Sequence, residues 1–421
     1  MAKEIKRTTD RKLVAALDIG ASKAACVIAH LTESFDGDFE VDVVGVGQNG
    51  ASLRDKTPDS DAAIRAAVEA AERMAGERIR LVHVAAGGRS LTTRKIGVDL
   101  DIEGGVVTRE DIADCLDQGA RAAAPDGATP LHAMKIRFAL DGEPAPEDPA
   151  GLAGAVLNAE IFGVGVKNSY VANVESKLAR AGLELDEIVA GPFAAAEAVL
   201  IDDEKELGVL LLDIGARTTS YALFERGALV GCGGVGVGGD HITRDIAQIF
   251  GSPIAHAERM KTLHGSALTG PGDEHRLLDF PQLGDSAEVA RHSKAELAQV
   301  IAPRFEEIVE MTLAALPGGA GARRGVRRAV LTGGGSLLVG ARETAERMIG
   351  VKTRLGRPAP LSGAPEAATA PQFAVAFGVL RHAARLRSEK IRATTRPRLK
   401  AISASGRGVI GGVGQWLKAN F

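Results

Sequence analysis

The chain has 421 residues, 45% apolar and 25% charged, with a net charge of −3. That length exceeds one ordinary core and suits roughly two to four domains, and the composition is that of a soluble globular protein, not a disordered one. The near-balanced charge excludes a whole-surface nucleic-acid binder, so no nucleic acid is expected as partner, and no apolar run approaches the length of a membrane span.

Residues 1–12 are charged, lack the apolar centre of a signal peptide and are expected to be disordered. Leu13-Val-Ala-Ala-Leu-Asp18-Ile-Gly20-Ala-Ser22 reads as an apolar strand running into a tight turn, and Ala24 to His30 as the returning strand. A helix follows over 60–76, with Ile64, Val68 and Ala71 at helical spacing on one face. Strand 81–85 completes the first part of the first domain, 13–86.

Between 87 and 166 the texture changes to short strands, a helix and a Pro/Gly-rich stretch over 141–154. Thr108 and Asp111 are spaced as a capping pair that opens a helix through Ala124. This stretch reads as an insertion. The first domain resumes over 167–202, with a helix over 168–181.

A second domain begins near Asp203. Its segment 203–244 contains Val209-Leu-Leu-Leu-Asp213-Ile-Gly215-Ala-Arg-Thr218-Thr219, a near copy of the first motif, again followed by an apolar strand (Tyr221 to Phe224). An insertion over 245–303 starts as a helix at 253–261 and is loop-rich to Gly284. The remainder, 304–385, is reached through a helix over 295–315. It carries Val330-Leu-Thr-Gly333-Gly334-Gly335-Ser336 ahead of a helix expected over 338–348.

A repeat of this kind outranks any single motif. Asp at the tip of each buried strand puts a carboxylate where the sheet opens, and two carboxylates with phosphate oxygens and waters suit Mg²⁺. Gly20 and Gly215 let the backbone approach a phosphate without a Cβ in the way. Turn amides, with the hydroxyls of Ser22, Thr218 and Thr219, can donate to phosphate oxygens. Gly333, Gly334, Gly335 and Ser336 precede a helix N-terminus, which favours anions. The parts together predict ATP with Mg²⁺ between two related domains, Asp18 and Asp213 facing the metal through water. Gly231-Cys-Gly-Gly-Val-Gly236 matches a dinucleotide fingerprint but follows a hairpin, without an acidic residue about twenty positions on, so that reading is rejected. Cys26, Cys115 and Cys232 are scattered, form no metal-type pair and fit a reducing compartment.

The order Leu17-Asp18-Ile-Gly20, Asp213-Ile-Gly-x-x-Thr218-Thr219, Leu331-Thr-Gly-Gly-Gly335 resembles the superfamily of actin, sugar kinases and heat-shock ATPases. Within it, Gly191-Pro-Phe-Ala-Ala-Ala-Glu-Ala-Val-Leu200, Asp203-Glu-Lys-Glu-Leu-Gly208, Val237-Gly-Gly-Asp240-His-Ile-Thr-Arg-Asp-Ile-Ala247 and His264-Gly-Ser-Ala267 are similar to the FtsA family of bacterial actin homologues, over about residues 13–380 and again at the C-terminus. The resemblance implies an α/β actin-like fold of two ribonuclease-H-like domains, with an FtsA-type subdomain inserted in the first. It implies crossing helices over 191–200 and 372–380, whose small residues Ala194 to Ala196, Ala374 and Ala376 allow close approach. Gly238, Gly239 and Asp240 become the turn beneath the phosphates. Glu258 and Lys261 approach ribose and adenine, where their spacing alone equally suits an exposed salt bridge.

The resemblance further implies polymerisation with copies of itself, binding to the tubulin homologue FtsZ, and contacts of the inserted subdomain with later cell-division membrane proteins. The place is the cytoplasmic face of the cell membrane at the division septum. Two departures stand out. Gly191 occupies the place where briskly hydrolysing relatives carry Gln or Glu, so the chain is expected to be at most a slow ATPase. Ala216-Arg217 and Ser220 stand where Gly-Gly and an acidic residue are common, and Arg217 either contacts a phosphate or crowds one. A small-molecule kinase of the same fold would need a catalytic Asp in the first domain, and none is found. A pilus-assembly actin-like scaffold would have no need of the tail.

Residues 386–406 read as a basic flexible linker, the stretch 381–400 holding eight Lys/Arg against Glu389 alone. The segment 407–421 reads as an amphipathic helix. Val409, Val413, Trp416 and Leu417 share a face, Ile410 and Phe421 flank it, and Lys418 lies off it. An apolar face carrying the chain's single Trp, preceded by basic residues, suits an anionic membrane surface. The competing reading is a helix docked on its own domain.

Overall fold

The computed structural model describes residues 12–34, 38–50, 60–284, 288–319 and 325–395. The N-terminus to residue 11, the linker beyond 395 and the amphipathic segment with Val409, Ile410, Val413, Trp416, Leu417, Lys418 and Phe421 lie outside the described residues.

The first motif folds as an antiparallel hairpin, β1 (Lys12–Ile19) and β2 (Ala24–Glu33), extended by β3 (Phe39–Asn49). Helix α1 (Ser60–Ala75) leads to β4 (Leu81–Ala86), parallel to β1. The chain then leaves the sheet through β5 (Leu91–Asp101), α2 (Arg109–Ala122), β6 (Ala128–Leu140), β7 (Glu143–Ala145) and β8 (Val156–Lys167), which form a separate sheet in the order β5-β8-β6-β7. Thr108 and Asp111 make the expected capping box at the start of α2. The chain returns through α3 (Asn168–Arg180) and β9 (Glu184–Ala190), giving a sheet in the order β3-β2-β1-β4-β9.

Helices α4 (Gly191–Val199) and α5 (Asp202–Leu207) carry the chain into the second domain. There β10 (Val209–Ile214), β11 (Thr219–Glu225) and β12 (Ala228–Val235) repeat the antiparallel order. Next come α6 (Gly239–Ile249), α7 (Ile254–His264), the hairpin β13 (Leu277–Pro281) and β14 (Val289–Ser293), and the long α8 (Lys294–Ala314). Strand β15 (Arg328–Thr332), α9 (Ala341–Ile349) and β16 (Lys352–Leu355) complete a sheet in the order β12-β11-β10-β15-β16, the same topology as the first. Helix α10 (Ala374–Thr395) closes the described chain.

The central strands read as unbroken apolar runs because each is covered on both faces. Ala15 and Leu17 pack with Ile64, Ala67 and Ala71 of α1 and with Leu178 of α3. Val14 and Ala16 face the opposite way, into a cluster that also takes Val209 and Leu211 of β10, Phe193 of α4 and Phe377 of α10. One apolar layer, with α4 and α10 inside it, therefore joins the two sheets. The helices are nearly in backbone contact: a Cβ on Gly378 would stand 1.7 Å from the Ala194 carbonyl oxygen. The loop after β16 also returns to the first domain, where the Val43 N–H donates to the Ser362 carbonyl (2.7 Å).

Three expectations are corrected. The helix expected over 338–348 starts at Ala341, because Gly334–Leu337 forms a 3-10 turn and Gly340 breaks the chain with φ 76°. The stretch expected as loop up to Gly284 contains β13, paired with β14. Residues 386–395, the first part of the expected flexible linker, continue α10.

Candidate nucleotide cleft

The two hairpin tips face one cleft of about 1420 Å³ between the domains. Each tip is the same four-residue turn. The Gly20 N–H donates to the Lys23 carbonyl (3.0 Å) and the Gly215 N–H to the Thr218 carbonyl (2.9 Å). Asp18, Gly20, Ser22, Asp213, Gly215 and Thr218 all line the cleft.

The third loop seals the second tip. Gly333 has φ 79°, and a Cβ there would stand 2.3 Å from an Asp213 carboxylate oxygen; one on Gly335 would meet the Ile214 side chain at 2.4 Å. Only glycine fits either place. Gly333, Gly334 and Gly335 line the cleft, but Ser336 turns away, its hydroxyl donating to the Gly333 carbonyl (2.7 Å). Thr219 is likewise corrected: it is fully buried and its hydroxyl donates to the Val237 carbonyl (2.9 Å). Both hydroxyls stiffen turns and are not available to a ligand.

The turn Gly238-Gly239-Asp240 lies under the second tip. The Gly239 N–H donates to the Gly215 carbonyl (3.0 Å) and the Asp240 N–H to the Ala216 carbonyl (2.7 Å). The first amides of α6 are thus spent on the hairpin's carbonyls, and Gly238 itself lies outside the cleft lining. Arg217 leans toward Asp240, Nε to Oδ2 3.4 Å. The Ser220 hydroxyl accepts the N–H of Gly88, at the root of the inserted subdomain (3.2 Å). Glu258 and Lys261 pair at 2.7 Å on the cleft wall, and Lys261 Nζ also donates to the Gly239 carbonyl (3.0 Å). Both are part-buried and line the cleft, so an exposed surface pair does not describe them.

Lys23, on the return of the first hairpin, is a cleft residue the sequence reading missed. Its Nζ is buried without a hydrogen-bond partner and lies 4.2 Å from the centre of the Phe373 ring. A polar residue directly after Asp-Ile-Gly-Ala-Ser was the available signal. Burial lowers its pKa to about 8 against the pull of Asp18 and Asp213. Burial raises Asp18, with Lys23 opposing. Burial and then the Asp18 charge raise Asp213 to about 7, again opposed by Lys23. Two buried carboxylates, the Asp18 charge adding to the proton affinity of Asp213, beside one under-solvated ammonium make a site suited to a divalent cation with a polyanion.

Among the described residues no cluster of His, Cys, Asp and Glu forms a metal site by itself. Gly191 begins α4 at the cleft, and a Cβ there would stand 2.9 Å from the Ala86 carbonyl oxygen, so a longer side chain needs the backbone to shift.

Known proteins match this architecture. The family model described as cell division protein FtsA matches residues 210–378, and that of the SHS2 domain inserted in FtsA matches 88–164. The cell division protein FtsA of Agrobacterium fabrum is 32% identical, with 97% of this chain and 95% of the relative covered. That of Pseudomonas aeruginosa is 29% identical, with 97% and 98% covered. Among solved structures, the PilM–PilN type IV pilus biogenesis complex superposes with a TM-score of 0.56 at 19% identity, covering 88% of this chain and 98% of that one. MreB5 of Spiroplasma citri bound to ADP does so with a TM-score of 0.51 at 14% identity, covering 90% and 98%. These structural likenesses speak for the actin-like fold alone. The nearly full-length identity, with both family models in place, assigns the lineage: the chain belongs to the FtsA family of cell division proteins.

Proposed function

We propose that the chain binds ATP with Mg²⁺ in this cleft and serves as a polymer-forming scaffold that tethers the division ring to the cytoplasmic face of the membrane. The observation that carries the proposal is the convergence of Asp18, Asp213 and an orphaned Lys23 at two duplicated hairpin tips. The residues present fit the absent group. Buried Lys23 Nζ lacks an acceptor, the glycine cradle at 333–335 leaves no Cβ in the way, and the carboxylates want a counter-charge. Mg²⁺ would supply that charge and the triphosphate the acceptor oxygens. Asp18 and Asp213 would orient metal-bound water. Lys23, the amides of both tips, and the Ser22 and Thr218 hydroxyls would hold phosphate. Glu258 and Lys261 would border the nucleoside. With Gly191 where a water-orienting side chain would stand, hydrolysis is at most slow.

The family and the tail composition support the partners: FtsZ, further copies of the chain, later cell-division membrane proteins and anionic lipid. No helix among the described residues is long and apolar enough to cross a membrane. Attachment on this reading rests on residues 409–421, with Trp416 central. A single such helix is a weak anchor, and many on one polymer hold together. Calorimetric titration of the full chain with Mg²⁺–ATP tests the first half, and Asp213→Ala should abolish most of the affinity. Vesicle co-sedimentation with and without ATP tests the second. A wild-type chain that binds no ATP would remove the proposal.

A further inference from the structure

Directly beneath the cleft floor, the inserted subdomain reaches into the joint of the two crossing helices. His132 of β6 is buried, 3% exposed. Its Nε2 accepts the Ala190 N–H (3.1 Å). Ala190 is the last residue of β9, the edge strand of the first sheet, and immediately precedes Gly191. The amide would otherwise be orphaned in an apolar layer, which is costly. Accepting at Nε2 needs a neutral ring, and burial, with the Arg385 charge adding, pushes His132 down to about 3.

The same ring packs on both crossing helices. It lies 4.7 Å from the Phe193 ring of α4 and 5.1 Å, edge-on, from His382 of α10. Arg385 lies over the Phe193 ring at 5.6 Å and reaches His382 Nδ1 at 3.3 Å. The root of the inserted subdomain also touches the second domain: a Cβ on Gly88 would stand 2.2 Å from the Gly233 carbonyl oxygen of β12. The subdomain thus touches both domains, at the start of α4 and on β12, and its Leu131, Phe162 and Val164 enter the apolar layer between them. A change in spacing between the domains must move one contact relative to the other, because packed interiors do not deform continuously.

We propose that His132 is a positioning residue that couples the inserted subdomain to the cleft floor, so that nucleotide binding changes the order of that subdomain through the Ala190 N–H. The inference rests on the nucleotide reading above and adds its route of transmission. Opening of the domains displaces the start of α4; His132 passes the displacement to β6, and His382 shares it with α10.

Hydrogen–deuterium exchange of the full-length protein tests it, read on residues 128–140 and 190–199 with and without saturating Mg²⁺–ATP. In the wild type, ATP should slow exchange in both segments. His132→Phe keeps a ring but no acceptor. It should exchange the Ala190 amide about five- to tenfold faster, the loss of one hydrogen bond, and lose the ATP-dependent slowing in 128–140. His132→Gln, which restores an acceptor, should recover it. A wild type in which ATP slows 190–199 and leaves 128–140 untouched overturns the proposal, as does His132→Phe with the ATP response of 128–140 intact. If His132→Phe does not fold, the wild-type and His132→Gln comparisons decide. If calorimetry finds no ATP bound to the wild type, the nucleotide reading has failed and takes this inference with it.

Discussion

Replacing Asp213 by Asn should stabilise the nucleotide-free protein at neutral pH while destroying its affinity for Mg²⁺–ATP. Burial and Asp18 raise the Asp213 ionisation from 3.8 to about 7. Between those values the native protein holds a proton that the unfolded chain has released. Stability therefore falls as pH rises through this window and stays low above it. The full span corresponds to about 4 kcal/mol, and screening by cleft water leaves about 2–4 kcal/mol expected. Asn keeps the shape and removes the charge. Urea denaturation of both proteins without nucleotide, from pH 4 to 8.5, should show the gap in favour of Asp213→Asn widening up to about pH 7 and constant beyond. Added Mg²⁺–ATP should then stabilise the wild type and leave the variant unmoved. Equal stability of the two at pH 8, or a gap that widens toward acid, would refute the reasoning.

Gly378→Val should destabilise the protein by at least about 3 kcal/mol, since its Cβ position lies 1.7 Å from the Ala194 carbonyl oxygen; Gly104→Ala, with nothing near its Cβ, is the neutral control in the same melt. Arg354→Ala strips the partner from Glu204, which is 5% exposed and bonded to the Arg354 guanidinium at 2.5 Å. It should cost about 2 kcal/mol at pH 7. Arg354 holds Glu204 below the usual carboxylate range against the opposing pull of burial, so the loss should fade as acid protonates Glu204. Trp416→Glu should release the chain from anionic vesicles with ATP affinity unchanged, and retained sedimentation would favour a tail docked on its own domain.

The duplicated strand-and-tip pattern was legible because a strand covered on both faces leaves an apolar run that ends abruptly at Asp18 or Asp213. The close passage of the crossing helices was legible from alanines 194 to 196. What failed was direction and local turn chemistry. A hydroxyl after a phosphate-type turn looks the same in sequence whether it lines the cleft, as that of Ser22 does, or donates to a neighbouring carbonyl, as those of Thr219 and Ser336 do. Lys23, between the turn and the returning strand, gained meaning only with its ammonium seen buried at the cleft. The basic run after 386 suggested solvent and a linker, yet Arg, Leu and Ala are good helix formers and α10 continues. His132 carried no signal, because its partners come from β9, α4 and α10, all distant in sequence.

The placement of α10 has a consequence for synthesis. Residues Ala374, Phe377 and Leu380 lie in the same apolar layer as Val14, Ala16 and Val27 of the first hairpin. The strands that leave the ribosome first must therefore wait for a helix that leaves near the end. The second domain draws all five strands of its sheet from the continuous stretch 209–355, and it can assemble while the first still lacks a wall. A nascent chain stopped before residue 374 leaves that layer open to water, a target for chaperones and proteases. Completion of the cleft, and of any polymer that depends on it, is thereby reserved for chains translated past α10.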